Sequence, residues 1–380
     1  MGIKKTTEKS NIKERSKVKE SKVNEVSKVK ESSKDRAKET QVQTYDIAVL
    51  GATGTVGEAI ISILEERQFP VGKLHPLASS RSAGETIIFN KKAVMVQDVE
   101  TFDFSKVQLA LFSAGSEVSA QYAKRATDAG CIVIDNTSKF RLDSDVPLII
   151  PEVNAHRLFE YQKRNIIANP NCSTIQMLVA LKPIYDAVGI TRINIATYQS
   201  VSGTGSAAIA ELANQTASLL NGQSIVAEVY PKQIAFNVLP HIGAFQDNGY
   251  TVEEMKLVWE TQKIFEDPNI KINPTTVRVP VFYGHSEAIH IETREKITAA
   301  KARELLRQAP GVILIDEPGE ENYPTPIPEA SGTDAVYVGR IREDISHPLG
   351  LDLWVVADNV RKGAALNAVQ IAEMLISEWI

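Results

Sequence analysis

A cysteine at a strand-to-helix junction is the first residue of this sequence that could do chemistry. The stretch 169–174 reads Asn-Pro-Asn-Cys-Ser-Thr and leads into a helix-like run, residues 173–188. Pro170 prevents an earlier helix start, and Asn171 is a good N-cap. Cys172 would then lie in the first turn, where free N–H groups and the helix dipole stabilise an anion. Such a thiol tends to be ionised near neutral pH, which predicts a nucleophile; the alternative is a small buried hydrophobe.

A glycine-rich turn near the start of the folded chain predicts a dinucleotide site. Residues 45–50 read as a buried strand, residues 51–57 as Gly-Ala-Thr-Gly-Thr-Val-Gly, and residues 56–68 as an amphipathic helix. Glycine lets the backbone approach a pyrophosphate, which then lies at the helix N-terminus. A tight turn with close helix packing would also favour glycine, so this second interpretation stays open.

The loop after the second predicted strand favours NADP over NAD. Strand 73–78 is followed by Ser79, Ser80 and Arg81, with no acid to hold a ribose 2′-hydroxyl. Hydroxyls and a cation suit a 2′-phosphate instead. An ordinary polar loop is the alternative.

The alternation of strands and helices predicts an α/β fold with a doubly wound, parallel Rossmann-type sheet. Its further predicted elements are strands 107–112, 131–135, 146–150 and 166–168 and helix 117–129. Beyond the cysteine helix the predicted strands are 193–198, 234–239, 275–282, 286–293, 312–315, 335–341 and 351–357, with helices 207–220, 251–265, 299–309 and 364–379. Few crossovers there indicate a mixed sheet and a second α+β domain for catalysis and dimerisation. We expect a cofactor-binding domain of residues 45–170 plus 358–380 and a second domain of residues 171–357.

The first 44 residues differ from the rest and predict a disordered, charged extension. They hold 13 Lys and Arg against 7 Asp and Glu and no aromatic residue. Such a segment cannot bury enough apolar surface to offset its ordering entropy.

Charge and cysteine usage exclude several classes of protein. The net charge of −5 argues against a nucleic-acid partner for the folded part. Two cysteines far apart indicate a reducing compartment, and no run approaches the ~20 apolar residues of a membrane span. We therefore expect a cytoplasmic protein without nucleic-acid or membrane partners.

Four motifs in order make the chain resemble the bacterial aspartate-semialdehyde dehydrogenases. They are Gly-Ala-Thr-Gly at 51–54, the cysteine stretch at 169–174, Tyr-Gln-Ser-Val-Ser-Gly at 198–203, and Arg-Val-Pro-Val-Phe-Tyr-Gly-His-Ser at 278–286. The likeness runs from about residue 45 to the C-terminus.

The resemblance implies NADPH-dependent reduction of L-aspartyl 4-phosphate to L-aspartate 4-semialdehyde, with release of phosphate. This is a step toward lysine, threonine, methionine and diaminopimelate. In the family's pattern Cys172 is the nucleophile that forms a thioester, and His285 is the general acid/base.

The resemblance also implies which side chains bind the substrate. Arg278 would clamp the carboxylate, Glu253 would hold the ammonium group, and Arg141 and Lys256 would take the phosphate. Gln199 would position the thioester. Acids at positions 253 and 254 also suit a helix start, so this choice depends on register alone.

Cofactor contacts, oligomeric state and two rival functions complete the predictions. Pattern and resemblance together assign NADP contacts to Gly51, Thr53, Gly54, Thr55, Val56, Ser80, Arg81, Ser113, Ala114, Ser202, Gly203, Thr204, Gly205 and Asn359. We expect a homodimer and no metal. The rivals are an N-acetyl-gamma-glutamyl-phosphate reductase, which shares the fold and the cysteine–histidine pair, and a non-catalytic NADP-binding regulator.

Overall fold

A parallel sheet with the glycine turn at its centre forms the first part of the fold. The computed structural model describes residues 43–317, 319 and 321–380. The elements before the cysteine stretch are β1 (Tyr45–Leu50), α1 (Thr55–Glu66), β2 (Val71–Ala78), β3 (Thr86–Phe89), β4 (Lys92–Met95), β5 (Gln97–Asp98), β6 (Leu109–Phe112), α2 (Ser116–Asp128), β7 (Ile132–Asp135), α3 (Pro151–Asn154) and β8 (Ile166–Ala168). Six strands pair in parallel in the order β5-β2-β1-β6-β7-β8, and β3 and β4 form a separate hairpin. This confirms the predicted doubly wound sheet.

The strand order fixes where a ligand can approach this sheet. The chain winds from β1 outward to β2 and β5, then returns past β1 to β6. The loops that leave β1 and β6 therefore run to opposite sides and open a crevice at the carboxyl edge. Gly51 and Ser113 follow these two strands directly.

A mixed sheet forms the second part of the fold. The remaining elements are α4 (Cys172–Val188), β9 (Ile190–Gln199), α5 (Ser206–Leu220), α6 (Val252–Ile264), β10 (Lys271–Arg278), β11 (His285–Thr293), α7 (Ala299–Gln308), β12 (Val312–Leu314), β13 (Val336–Glu343), β14 (Gly350–Ala357) and α8 (Leu366–Glu378), with a 3-10 turn at Val201–Thr204 and a π turn at Arg361–Ala365. The order is β10-β9-β11-β14-β13-β12, with parallel pairs at both edges and antiparallel pairs between them. This confirms the predicted second sheet.

Two helices connect the two sheets. Residues Ile175 to Leu181 of α4 are buried and share one apolar core with β9, β11 and β14. The last helix, α8, returns to the first sheet, where Ile371 and Leu375 pack with Ile60 of α1. Because α4 starts just after β8 and then crosses onto the second sheet, its N-terminus lies at the junction of the two layers.

Two predicted strands are wrong. Residues 146–150 lie beside β8 through a single bridge, Leu148 to Ala168, because prolines at 147 and 151 confine the segment. Residues 234–239 are not a strand, since Phe236 has a positive φ of 58° that breaks the extended chain.

The predicted domain boundaries and the predicted disordered extension both stay predictions. Both sheets belong to one compact unit, Tyr45–Ile380, so the boundaries at residues 170 and 358 stay a prediction. The predicted disordered extension, residues 1–44, lies outside the described residues except for its last two. None of the described helices combines the length and the apolar content that a membrane crossing requires.

Candidate active site

Cys172 begins α4 as the spacing predicts. The side-chain oxygen of Asn171 accepts hydrogen bonds from the backbone N–H groups of Ser173 (3.0 Å) and Thr174 (3.3 Å), which confirms Asn171 as the N-cap. The π turn packs closely behind the cysteine, because a Cβ added to Gly363 would lie 2.8 Å from the Cys172 Cβ. Only glycine allows the backbone to come this close, so the π turn forms the wall behind the Cys172 side chain.

Three buried polar side chains come together at one end of the second sheet. Arg278 at the end of β10 pairs in register with Gln199 at the end of β9. His285 starts β11 on the other side of β9, where Ser286 pairs with Tyr198. The arginine, glutamine and histidine are each at most 4% exposed. Adjacent strand ends therefore present a cation, an amide and an imidazole side by side.

Glu253 links the sheet end to the start of α4. Its Oε1 accepts hydrogen bonds from Asn171 Nδ2 (2.8 Å) and Gln199 Nε2 (3.3 Å), and its Oε2 accepts from Lys256 Nζ (2.8 Å). Glu254 faces elsewhere, because it forms the capping box of α6 with Thr251. Of the two adjacent acids, the one that we expect to bind substrate is the one that contacts this cluster.

Arg141 braces the loop before the cysteine. Its Nε donates to the Asn169 carbonyl (2.9 Å), its Nη2 to the Asn136 carbonyl (2.8 Å), and its Nη1 to Glu260 (2.9 Å). The other oxygen of Glu260 accepts from the Asn171 N–H (2.6 Å). A guanidinium has five N–H donors, so these bonds leave two that could donate to a ligand.

Among the buried polar atoms that have no hydrogen-bond partner within the described residues, two belong to the three side chains at the sheet end. They are His285 Nε2 and Arg278 Nε, both fully buried. A Cβ added to Gly203 would lie 3.1 Å from Arg278 Nη1 and 3.3 Å from His285 Nε2, so all three residues border one space. Gln176, one turn beyond Cys172 in α4, donates to the His285 carbonyl (3.3 Å). The thiol and the imidazole thus belong to the same side of the molecule, and buried unpaired donors there favour a polar ligand.

The ionisation predicted for Cys172 is wrong for the unliganded chain. Burial raises the pKa of its thiol to about 12, and the Glu253 carboxylate adds to the rise. Lys256, Arg278 and Arg141 lower this pKa but do not outweigh burial. The thiol therefore rests protonated, because burial and the Glu253 carboxylate outweigh the helix dipole.

Two further groups of the cluster, His285 and Glu253, also have shifted pKa values. Burial and the nearby Arg278 lower the pKa of His285 to about 3, so the imidazole is neutral at physiological pH. Burial opposes ionisation of Glu253, but Lys256, Asn171 and Arg278 outweigh it and lower its pKa to about 2. Strongly shifted pKa values in a cleft are typical of functional sites.

Replacing Glu253 by glutamine is expected to make Cys172 more reactive. The change removes the negative charge that raises the thiol pKa, so the thiolate fraction at a given pH increases. If the pKa of the thiol falls by one unit, alkylation becomes roughly tenfold faster. The measurement is the rate of iodoacetamide labelling against pH.

The matched control for this experiment is Glu254→Gln. Glutamine still closes the capping box with Thr251, so the labelling profile should match that of the unaltered protein. Equal acceleration in both variants would show that Glu253 does not set the thiol pKa.

The predicted cofactor residues fall into two groups. At the switch point Gly51 has a φ of +87°, and a Cβ there would lie 2.9 Å from Ser113 Oγ and 3.0 Å from the Ala114 nitrogen. Gly54 precedes α1, and no side chain caps that helix, so its first-turn N–H groups suit a pyrophosphate. Thr53, Thr55 and Val56 are partly buried beside this turn, and Ser80 and Arg81 are exposed after β2.

The second group lies beside the cysteine cluster. Ser202, Gly203, Thr204 and Gly205 form or follow the 3-10 turn after β9. Asn359, which follows β14, accepts a hydrogen bond from Ser202 Oγ (3.1 Å).

Sequence reasoning missed three residues that shape the site. Glu260 holds Arg141 and Asn171, Ser200 contacts the His285 ring, and Gly363 packs on Cys172. Ser200 lies inside the motif at 198–203, where its position beside Gln199 was a usable signal. Glu260 lies in α6 and Gly363 in the π turn, far from residue 172 in the sequence, and only folding brings them to the cysteine.

Family models match most of the folded chain. A semialdehyde dehydrogenase NAD-binding domain matches residues 46–161, and a semialdehyde dehydrogenase dimerisation domain matches residues 181–362. Among curated relatives, the aspartate-semialdehyde dehydrogenase of Shewanella violacea is 63% identical over 89% of this chain and 99% of its own length. That of Legionella pneumophila is 62% identical over 88% and 96%. The chain belongs to the aspartate-semialdehyde dehydrogenase family.

Solved structures of this family share the fold. Aspartate semialdehyde dehydrogenase II from Vibrio cholerae, complexed with ASA, has a TM-score of 0.88 at 60% identity and covers 89% of this chain and 100% of its own. The enzyme from Candida albicans, solved with NADP, has a TM-score of 0.69 at 26% identity and covers 88% and 99%. As a member of this family the chain is an oxidoreductase with a domain for a nicotinamide cofactor.

Proposed function

We propose that the chain reduces L-aspartyl 4-phosphate to L-aspartate 4-semialdehyde with NADPH, through a thioester on Cys172. The observation that carries this proposal is the cluster at the start of α4. A cysteine in the first helical turn lies on the same side as a buried imidazole and a buried guanidinium that both have unpaired donors. The names of the relatives and the ASA complex of the Vibrio cholerae enzyme support the substrate.

Each charged residue of the cluster suits one charged group of the substrate. Arg278 suits the substrate carboxylate, and Arg141 and Lys256 suit the phosphate. The anionic Glu253 suits the substrate ammonium group, and Gln199 lies beside it.

Attack by the sulfur forms a carbon–sulfur bond and expels phosphate. NADPH supplies the hydride that reduces the resulting thioester. The aldehyde then leaves with cleavage of the carbon–sulfur bond, within the route to lysine, threonine, methionine and diaminopimelate.

The decisive experiment is the reverse reaction with purified protein. Reduction of NADP with aspartate semialdehyde should require phosphate and should not occur with N-acetylglutamate semialdehyde. Turnover of only the N-acetylated substrate would favour the rival reductase. No turnover of either, with NADP still bound, would favour the regulator.

Preference for NADP over NAD is expected to depend on Arg81. This exposed side chain follows β2, where a 2′-phosphate is expected, and the Candida albicans relative was solved with NADP. Arg81→Ala should raise KM for NADP roughly tenfold or more, the cost of one charge-assisted hydrogen bond, and leave KM for NAD unchanged. Lys232→Ala, at an exposed lysine of the second part, is the matched control. A parallel rise in both KM values would contradict an Arg81–phosphate contact.

We propose that the second sheet forms the interface of a homodimer. One face of this sheet packs on α4, and the opposite face leaves Tyr198 39% exposed beside Trp354. An apolar groove on that face is lined by Ala288, Tyr323 and Pro326 among others. The match to a dimerisation domain also supports the dimer. Sedimentation equilibrium should give twice the chain mass, and the mass of a single chain would contradict it.

A further inference from the structure

A buried ion pair holds the segment that precedes α4. Glu260 of α6 is 1% exposed, and its Oε1 accepts a hydrogen bond from Arg141 Nη1 (2.9 Å). Its Oε2 accepts one from the Asn171 backbone N–H (2.6 Å), while Arg141 Nε donates to the Asn169 carbonyl (2.9 Å). The pair therefore holds the main chain on both sides of Pro170, which has no N–H of its own.

The same face of α6 holds the neighbouring segments. Glu253, seven residues before the paired glutamate, accepts a hydrogen bond from Asn171 Nδ2 (2.8 Å). Lys263, three residues after it, donates from Nζ to three main-chain carbonyls of the loop 141–146 at 2.7–2.8 Å. These spacings lie on one side of a helix. One helix face therefore restrains both the loop that carries the arginine and the start of α4.

The bonds of the ion pair fix directions at both of its ends. Arg141 uses Nε and Nη1 in the pair and donates from Nη2 to the Asn136 carbonyl (2.8 Å), which leaves one N–H on each terminal nitrogen. A guanidinium is planar and rigid, so these three bonds set where the two remaining donors point. Because Cys172 directly follows Asn171, the bond that Glu260 accepts from Asn171 sets where the first turn of α4 begins.

We propose that Glu260 is a positioning residue that couples phosphate binding at Arg141 to the placement of Cys172. The inference rests on the proposed function, which assigns the phosphate to Arg141 and the thioester to Cys172. A phosphate on the two remaining donors restrains the guanidinium, and the shared carboxylate extends that restraint to Asn171 and the cysteine. The leaving group and the nucleophile are thereby held in a fixed relation to each other.

A role through charge alone predicts the opposite effect on phosphate. The carboxylate of Glu260 lies 2.9 Å from Arg141 and offsets its positive charge, so removing that charge by itself would strengthen phosphate binding. A positioning role predicts weaker binding. Glutamine replaces one carboxylate oxygen by an NH2 group, so that either Arg141 Nη1 or the Asn171 N–H faces another donor and loses its partner.

Glu260→Gln is therefore the main test, measured as phosphate-dependent reduction of NADP with aspartate semialdehyde. We expect KM for phosphate to rise roughly tenfold or more, as when one charge-assisted hydrogen bond is lost. We expect kcat to fall on the order of 100-fold, as for a small misplacement of the reacting groups. KM for aspartate semialdehyde should stay unchanged. A lower KM for phosphate, unchanged constants, or a parallel rise in both KM values would each overturn the proposal.

The matched control is Glu266→Gln. It removes a partly exposed carboxylate that pairs with Arg157 (2.8 Å) just after α6. This variant should keep kcat and both KM values of the unaltered protein. Equal losses in the two glutamine variants would contradict a specific role for Glu260.

A double variant tests whether the two members of the ion pair act as a unit. If they do, Arg141→Lys combined with Glu260→Gln loses little more kcat than the worse of the two single variants. Losses that multiply would show that the two residues act independently, and would overturn the coupling.

Glu260→Asp keeps the proposal testable if the glutamine variant does not fold. Aspartate retains the charge that a buried arginine requires, but it is one methylene shorter and cannot reach both donors at once. We expect KM for phosphate to rise and kcat to fall here too. Full activity of Glu260→Asp would overturn the positioning role.

Hydrogen exchange separates this inference from the proposed function, because it needs no turnover. In the unaltered protein, saturating phosphate should slow exchange of the peptide 165–175 by up to roughly tenfold, and Glu260→Gln should abolish this protection. Protection in a protein that does not turn over aspartate semialdehyde would overturn the proposed function and leave the coupling standing. Absence of protection in the unaltered protein, or equal protection in Glu260→Gln, would overturn the coupling.

Discussion

Cys172→Ala is expected to lower kcat by on the order of 10⁴-fold or more. Alanine keeps the helix start and its Asn171 cap but removes the atom that forms the thioester, so no other residue of the cluster can take over the covalent step. The measurement is phosphate-dependent reduction of NADP with aspartate semialdehyde. Binding of NADP should remain, because the glycine turn after β1 is unchanged.

The second cysteine provides the matched control. Cys131 is fully buried just before β7, and burial raises the pKa of its thiol to about 12. Cys131→Ala should leave kcat unchanged and lower the free energy of unfolding by about 1 kcal/mol, as small core truncations do. A Cys172→Ala enzyme as fast as Cys131→Ala would rule out the thioester.

Lys362→Met is expected to lower the free energy of unfolding by about 3–5 kcal/mol, because it leaves a buried carboxylate without a counter-charge. Lys362 is fully buried in the π turn before α8, and its Nζ donates to Glu152 (2.7 Å), Asn367 (3.0 Å) and Gln370 (2.7 Å). Urea unfolding followed by circular dichroism measures the change.

Two control variants separate the buried charge from loss of a lysine. Lys182→Met breaks a partly exposed pair with Asp186 within α4 and should cost about 0.3–0.5 kcal/mol. Combining Lys362→Met with Glu152→Met removes both charges and should recover much of the loss. Equal costs for Lys362→Met and Lys182→Met would contradict an important buried pair.

The lysine network also reaches the active-site loop. Asn367, a partner of Lys362, donates a hydrogen bond from Nδ2 to Asn169 Oδ1 (2.6 Å). The carbonyl oxygen of Asn169 in turn accepts a hydrogen bond from Arg141 Nε. Folded Lys362→Met protein is therefore expected to lose some activity in addition to stability. This connection from the C-terminal helix to the cysteine loop could not be predicted from local sequence, because its members are about 200 residues apart.

Local rules were enough for the elements that present the chemistry. Pro170 and Asn171 determined where α4 begins, and the glycines at 51–57 determined the turn after β1. The alternation of apolar runs determined both sheets, but it failed where prolines confined residues 146–150 and where Phe236 took a positive φ.

What the sequence by itself determined is the kind and order of the parts: a cysteine at a helix start, a glycine turn after a strand, and motifs that carry a family likeness. What only the tertiary structure decided is the state of those parts. The thiol rests protonated because burial and Glu253 of α6 raise its pKa, and the imidazole of His285 is neutral because burial and Arg278 of β10 lower its pKa. A pKa depends on burial and on charges within a few ångströms, and in this fold those neighbours come from distant parts of the chain.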